Sequence, residues 1–505
     1  MKLILLRVFN NSAFFAIMCV LPLYTMESSN TLAQYNRGIS DGEKTFLSNR
    51  LPIVKAALET ILNRSLNNKR IPKIALIGSG GGYRAMLCTT GSLNGAQKIG
   101  LLDATTYITA LSGSTWAVAP WISTGIAIKQ FKNYIQDCAA KPFTQLNSDE
   151  KNLLLKDLLV KIKNNQKITL VDPYGGLLAN RLLEFLGDQR QATTLSDQAQ
   201  KIKLGFYPYA IYTAIDGREN IATGQTWYEF TPHTIGDRTN NIHIPTWTYG
   251  KKFKEGQPTN NAPEKSLAYC MGTWGSAFAA NIYEILKEVI HYNVILEEIT
   301  EILPDSIEGE RILPFYAEVR NYMYQMRNLN DTSLSENKHL MFVDAGLEIN
   351  LPYSPVSGIC PERTADILIF LDASAGDNIG NQLQKVADYA KKFNCPFPAI
   401  NLENIGKKTI SVFKDENNTS TPVVIYMPRI SDQALWQDNK LKPEFAKYNL
   451  SGFDLDHETN NGYCKTEEFQ YTPEHSALVM NQTEFNMRVN KYTIIKEINE
   501  WIDRK

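Results

Sequence analysis

The sequence predicts an α/β fold: a central mixed β-sheet flanked by helices, with a cap over an apolar funnel. Three observations carry the prediction. A strand, a glycine loop, a helix and a second strand follow one another within Ile71–Trp121. Further strand-like runs recur between helical ones to the end of the chain. The 505 residues, 43% of them hydrophobic and 10% aromatic, are enough to cover both faces of a large sheet.

Ile74 to Ile77 is a short apolar run that stops at Gly78-Ser79-Gly80-Gly81-Gly82. A helical pattern fills Tyr83 to Ile99, and Thr105 to Leu111 is again β-type before a sharp turn at Ser112-Gly113-Ser114. Upstream, Lys2 and Arg7 precede an apolar run, Ala13 to Tyr24, of signal-peptide size and too short for a membrane span. Residues 1–28 are therefore read as a signal peptide or N-terminal anchor, and 29–505 as one domain with cap insertions. That reading predicts an exported or membrane-associated protein, cytoplasmic only if the leader is inactive. Gly42 to Leu66 is helical and leads into the first strand.

Ser148 to Lys163 reads as an amphipathic helix packed on the domain, the alternative being part of a lid that meets lipid. Leu177 to Leu186 is helical, with Asp172 capping it. Phe206 to Ile215 and Thr226 to Phe230 alternate like paired strands, and Gly250 to Pro263 reads as an exposed loop. Helices are predicted at Ala279–Thr300 and Glu310–Met326. Strands are predicted at Leu340–Val343, Ile367–Leu371 and Val423–Met427, and a last amphipathic helix at Tyr492–Ile502.

Composition excludes some functions. Basic and acidic residues balance at 52 against 53, so global charge gives no reason to expect nucleic acid or strong attraction to an anionic membrane. The six cysteines after the leader are compatible with disulfides or with buried free thiols, and no pair has metal-site spacing. No metal or cofactor is predicted.

The motifs suit acyl transfer. Ala110-Leu111-Ser112-Gly113-Ser114 has the shape of a nucleophile elbow, with two other small residues where glycines usually stand. The glycine loop can turn main-chain N–H groups toward an oxyanion, and Arg84 stands beside it as a fixed cation. A nucleotide site is the rival use of such a loop. It fails for want of a Walker lysine after the loop and of an acidic residue ending the second strand.

Gly78-Ser79-Gly80-Gly81-Gly82-Tyr83-Arg84-Ala85-Met86 and Leu111-Ser112-Gly113-Ser114-Thr115-Trp116 closely resemble the catalytic domain of the cytosolic (group IV) phospholipase A2 and lysophospholipase family, distantly related to patatin. Further matches follow in order: Thr226–Pro232, Met271–Phe278, Val343–Leu347 and Asn350-Leu351-Pro352. The resemblance implies a lipid acyl hydrolase with a Ser112/Asp344 dyad and an oxyanion hole at Gly81 and Gly82. It implies that Arg84 supports the head group or transition state, with Trp116 and Asn350 near the site. The substrate would be a phospholipid or lysophospholipid at a membrane or micelle surface. Calcium-driven targeting is not predicted, because a C2 sandwich needs on the order of a hundred residues and none fits between the leader and Gly78.

The residues themselves leave the base open between a carboxylate and a histidine. Asp344 ends an apolar strand and precedes Ala345-Gly346, where a carboxylate can project into a cleft and gain basicity from burial. Of the six histidines, His475 lies where a serine hydrolase could keep its base.

Overall fold

The computed structural model describes residues 33–35, 38–218, 225–278, 316–327, 329, 333–376, 378–403, 405–432, 435 and 438–504. The leader and the predicted helix Ala279–Thr300 lie outside them. The strands are β1 Gln34–Tyr35, β2 Ile74–Gly78, β3 Tyr107–Ala110, β4 Tyr209–Asp216, β5 Trp227–Phe230, β6 Thr234–Asp237, β7 Ile242–Pro245, β8 Phe253–Lys254, β9 Gln257–Pro258, β10 Ala317–Arg320, β11 His339–Val343, β12 Ile367–Asp372, β13 Ser411–Phe413 and β14 Val423–Pro428. All but β8 and β9 form one sheet, in the order β1-β7-β6-β5-β4-β3-β2-β12-β14-β13, with β10 and β11 joined to it through β4.

Strands β4, β3, β2, β12 and β14 run parallel at its centre and are buried along their whole length. That burial accounts for their nearly unbroken apolar sequences, since helices cover both faces of a parallel sheet. From β5 to β7 the sheet continues as an antiparallel meander. The mixed α/β architecture is the predicted one.

The early helices are α1 Asp41–Leu62, α2 Gly82–Lys98, α3 Leu101–Ala104, α4 Thr115–Thr124, α5 Ile128–Ala140, α6 Ser148–Lys163, α7 Val171–Leu182, α8 Gln198–Ile202 and α9 Leu267–Trp274. Ser40 caps α1, its hydroxyl accepting the Glu43 N–H at 3.2 Å. From the same helix, buried Arg50 donates to the carbonyls of Leu102, Thr105 and Gly205 at the N-terminal end of β3 and β4. Helix α2 lies against the helix Pro473–Val489, which precedes the last helix, Lys491–Arg504. A Cβ at Gly91 would fall 2.2 Å from the Met480 carbonyl, so the two backbones approach closer than side chains allow.

Three expectations need correction. The described part of Glu310–Met326 contains β10, paired antiparallel with β11, because sheet pairing overrides a helical-looking apolar spacing. The helix predicted at Leu177–Leu186 is α7, which begins six residues earlier and gives way to a 3-10 segment at Glu184–Gln191. The Gly250–Pro263 loop contains the hairpin β8–β9. Helix α6 has the predicted limits and packs on the domain, with Glu150 paired to Arg181 of α7 at 2.6 Å. Cys88, Cys138, Cys270, Cys360, Cys395 and Cys464 are free thiols.

Candidate active site

Strand β4 acts as a ruler that brings two distant parts of the chain together. Its Tyr212 pairs with Ala110 of β3 and with Phe230 of β5, and its Ile215 pairs with Val343 of β11 and with Trp227 of β5. With β5 on one edge throughout, β3 and β11 must share the other edge, approaching end to end from opposite directions. The residues at the junction are Leu111-Ser112, leaving β3, and Asp344, leaving β11.

At Ser112 the chain turns sharply into a 3-10 turn, Ser112–Ser114, and then α4. Ser112 has φ +46°, a left-handed conformation that costs a serine about 1–3 kcal/mol and persists only where its surroundings enforce it. Ser114 does the enforcing. Its hydroxyl donates to the Gly78 and Leu111 carbonyls, each at 2.8 Å, and accepts the Leu111 N–H at 3.0 Å. Gly113 presses on the glycine loop, so that a Cβ there would fall 2.0 Å from the Gly82 carbonyl oxygen. The sequence reading took Ser114 only as a small residue; its pinning role was missed.

The glycine loop leaves β2 and ends as the N-terminus of α2. The amides of Ser79 and Gly80 donate to the Leu371 and Asn350 carbonyls at 3.2 and 3.3 Å. Those of Gly81, at φ +132°, and Gly82 meet no acceptor among the described residues. Two unspent N–H groups at a helix N-terminus make a position favourable to negative charge. Asn350 fixes the loop from the side, its Nδ2 donating to the Gly80 carbonyl at 3.2 Å and to Ser374 Oγ at 2.7 Å.

Asp344 is buried beside Ser112, the pair being 1% and 2% exposed. Its carboxylate accepts the Gly346 N–H at 2.8 Å, and the nearby Ser112 hydroxyl and Ala277 amide also favour its charged form. Its own amide donates to the Ser276 hydroxyl at 3.0 Å. Burial away from solvent outweighs these contacts and pushes the carboxyl up to about 6. Tyr174, fully buried on α7, feels the Asp344 charge and has a hydroxyl with no hydrogen-bond partner among the described residues; no sequence motif points to it.

Arg84 sits differently from an exposed head-group cation. It is completely buried, with Nε donating to the Ala373 carbonyl at 2.8 Å and Nη1 to the Cys464 carbonyl at 2.7 Å. Its Nη2 has no hydrogen-bond partner among the described residues and lies where a Gly81 Cβ would come within 2.4 Å of it. Desolvation without a carboxylate partner lowers its pKa. Trp116 is also buried, its indole N–H donating to the Met271 carbonyl at 3.1 Å, inside an aromatic cluster with Tyr83, Tyr174 and Phe469. Its position is that of a packing residue.

The described histidines have other partners. His475 stacks on Tyr463 with centroids 3.6 Å apart, His233 bonds the Tyr209 hydroxyl, His243 bonds Glu229, and His339 pairs with Glu318. His457 lies in the short helix Leu455–Asn460, and His291 lies outside the described residues.

Fold and site together define a mixed-sheet α/β protein with a serine on a strained turn, a buried carboxylate at the facing strand end and a glycine loop beside both. The chain belongs to the lysophospholipase catalytic domain family, whose model matches residues 74–396. It is 26% identical to human cytosolic phospholipase A2 epsilon, over 92% of this chain and 60% of that protein. It is 24% identical to human cytosolic phospholipase A2 gamma, over 79% and 86% respectively. Thus the chain spans about three fifths of the length of the epsilon relative. The solved structure of human GIVD cytosolic phospholipase A2 superposes with a TM-score of 0.79 at 19% identity, covering 95% of this chain and 69% of that one, and so shares the fold.

Proposed function

We propose that this chain is a serine lipid acyl hydrolase that cleaves fatty-acyl esters of glycerophospholipids or lysophospholipids. Ser112 Oγ attacks the ester carbonyl while Asp344 takes the hydroxyl proton, and the tetrahedral oxyanion rests on the amides of Gly81 and Gly82. As the acyl-enzyme forms, the leaving alcohol takes that proton back from Asp344. Water, deprotonated by Asp344 in turn, then attacks the acyl-enzyme, and Asp344 returns that proton to Ser112 Oγ as the fatty acid leaves. Arg84 braces the loop and directs its remaining N–H groups toward the same charge.

The observation that carries the reading is the burial, side by side at two facing strand ends, of a conformationally strained serine and a carboxylate whose burial brings its pKa near neutrality. Family membership supports it, and so do the names of the relatives, which are phospholipases A2. Binding to a membrane or micelle surface is peripheral and transient. The relatives are called cytosolic, and six free thiols favour a reducing compartment over the export that residues 1–28 suggest. Fractionation of cells expressing the full chain separates the two.

The test is fatty-acid release, without calcium, from mixed phosphatidylcholine micelles and from lysophosphatidylcholine. Ser112→Ala and Asp344→Asn should each lower turnover by roughly a thousandfold or more. The ratio of the two substrates then distinguishes phospholipase A2 from lysophospholipase or a broad patatin-like esterase. Activity that survives Asp344→Asn would return His475 to consideration as the base. No hydrolysis by folded wild type would leave a lipid-binding protein.

A further inference from the structure

A second cavity, of about 180 Å³, opens between α6, the Gln189–Ala192 turn and the segment leading into α9. Its lining shares no residue with the Ser112–Asp344 site. One wall is apolar, formed by Leu153 and Val160 of α6 with Ala192 and Pro263 opposite, and Val160 is 41% exposed at the surface.

Lys265 lines the floor. It is 2% exposed, and its Nζ has no hydrogen-bond acceptor among the described residues. Its surroundings give it only an Asp172 oxygen 3.8 Å away and the Tyr269 ring face at 4.1 Å. Asp172 is already engaged, with Lys161 at 3.2 Å and the Thr169 N–H at 2.8 Å. A buried ammonium with three unspent N–H bonds is costly, so an anion that enters the cavity and accepts from it gains what Asp172 does not supply. Burial pushes Lys265 down to about 8, the direction that follows when the charged form is undersolvated.

The acidic residues limit what can enter. Asp157, Asp188 and Glu264 line the cavity with Lys156 and Lys161, the latter already paired with Asp157 and with Asp172 behind the floor, so a dianion such as a phosphate monoester meets several like charges. A single negative charge with an apolar tail matches both floor and wall. We infer that this cavity is a binding site for a monocarboxylate amphiphile, its carboxylate on Lys265 Nζ and its alkyl chain along Leu153 and Val160. The inference uses no step of the catalytic reading, although the fatty acid released there has the same chemistry.

The experiment uses the full chain with sodium octanoate as probe. Titration calorimetry should give a Kd on the order of 1 mM or tighter. An octyl-trimethylammonium salt should not bind at this site. Octanoate should also protect Lys265 from acylation by an amine-reactive ester, read by peptide mass spectrometry. Lys265→Met, which leaves Asp172 paired with Lys161, should weaken octanoate binding about tenfold or more. Binding that leaves Lys265 fully reactive, or that Lys265→Met does not alter, would place octanoate elsewhere and overturn the inference, as would no detectable binding. Because protection is read in the wild-type chain, the outcome stands even if the variant fails to fold.

Discussion

The Asp344 N–H donates to the Ser276 hydroxyl at 3.0 Å, tying the strand end that carries the candidate base to the turn that follows α9. The adjacent Ala277 amide favours the charged form of the Asp344 carboxylate, so one short turn acts on that residue's side chain as well as on its main chain. Ser276→Ala should therefore loosen the carboxylate's aim at Ser112. We expect kcat to fall about tenfold with KM within about twofold, and stability to drop by about 1 kcal/mol for the lost buried hydrogen bond. Ser276→Thr should recover part of kcat. An unchanged kcat in Ser276→Ala would show that Asp344 is oriented without this contact.

Catalysis by this pair needs the ionised carboxylate. With Asp344 pushed up to about 6, kcat/KM should rise with pH through an apparent pKa near that value and level off above it. An ordinary carboxylate would place the inflection about two units lower. A rate profile flat from pH 5 to 8 would remove Asp344 from the role of base.

The same shift bears on stability. A carboxyl whose folded-state pKa lies above its unfolded value contributes stability while protonated, below about pH 4, and loses it as pH rises through about 6. At pH 8 the buried charge is thus a cost, roughly 2–3 kcal/mol for a shift of this size. Asp344→Asn keeps an acceptor for the Gly346 N–H without the charge. It should raise the unfolding free energy at pH 8 and have little effect at pH 4, while activity is lost. Chemical denaturation of both forms at the two pH values measures this; a less stable variant at pH 8 would mean that the hydrogen bonds outweigh desolvation.

Local features of the sequence were readable because local physics decides them. The glycine loop and the apolar runs of β2, β3, β12 and β14 are dictated by backbone freedom and by burial on both faces. Ser112 and Asp344 could each be recognised at a strand end, yet their adjacency depends on the shared register along β4, which no local pattern encodes. Strand β10 was misread because four residues with mixed spacing carry little period, and its pairing with β11 decides the outcome. Helix Pro473–Val489 went unnoticed. Its buried face includes Gln482, Thr483, Glu484 and Asn486, which hides its amphipathic stripe. Arg84 was legible as a site residue, but its burial follows from carbonyls almost 300 and 400 positions away.

The elbow and the glycine loop are held against each other by contact between two backbones, and Gly113 is where that contact is closest. A Cβ on Gly113 would meet the Gly82 oxygen at 2.0 Å, with the carbonyl carbon and nitrogen of Gly82 at 2.9 Å. Main chain cannot rotate aside as a side chain can, so Gly113→Ala must displace the loop that carries the Gly81 and Gly82 amides. The expected cost is more than about 2 kcal/mol in stability, with loss of turnover in whatever fraction folds. Gly406→Ala is the matched control: its Cβ would come no closer than 3.5 Å to Ile379, and its φ lies outside the glycine-only region. That substitution should be neutral or stabilise by a few tenths of a kcal/mol through the unfolded chain. Thermal melts and fatty-acid release on both variants decide the matter. A Gly113→Ala protein that melts like Gly406→Ala and hydrolyses like wild type would show that the loop yields without consequence, and that its amides need not be held against the elbow.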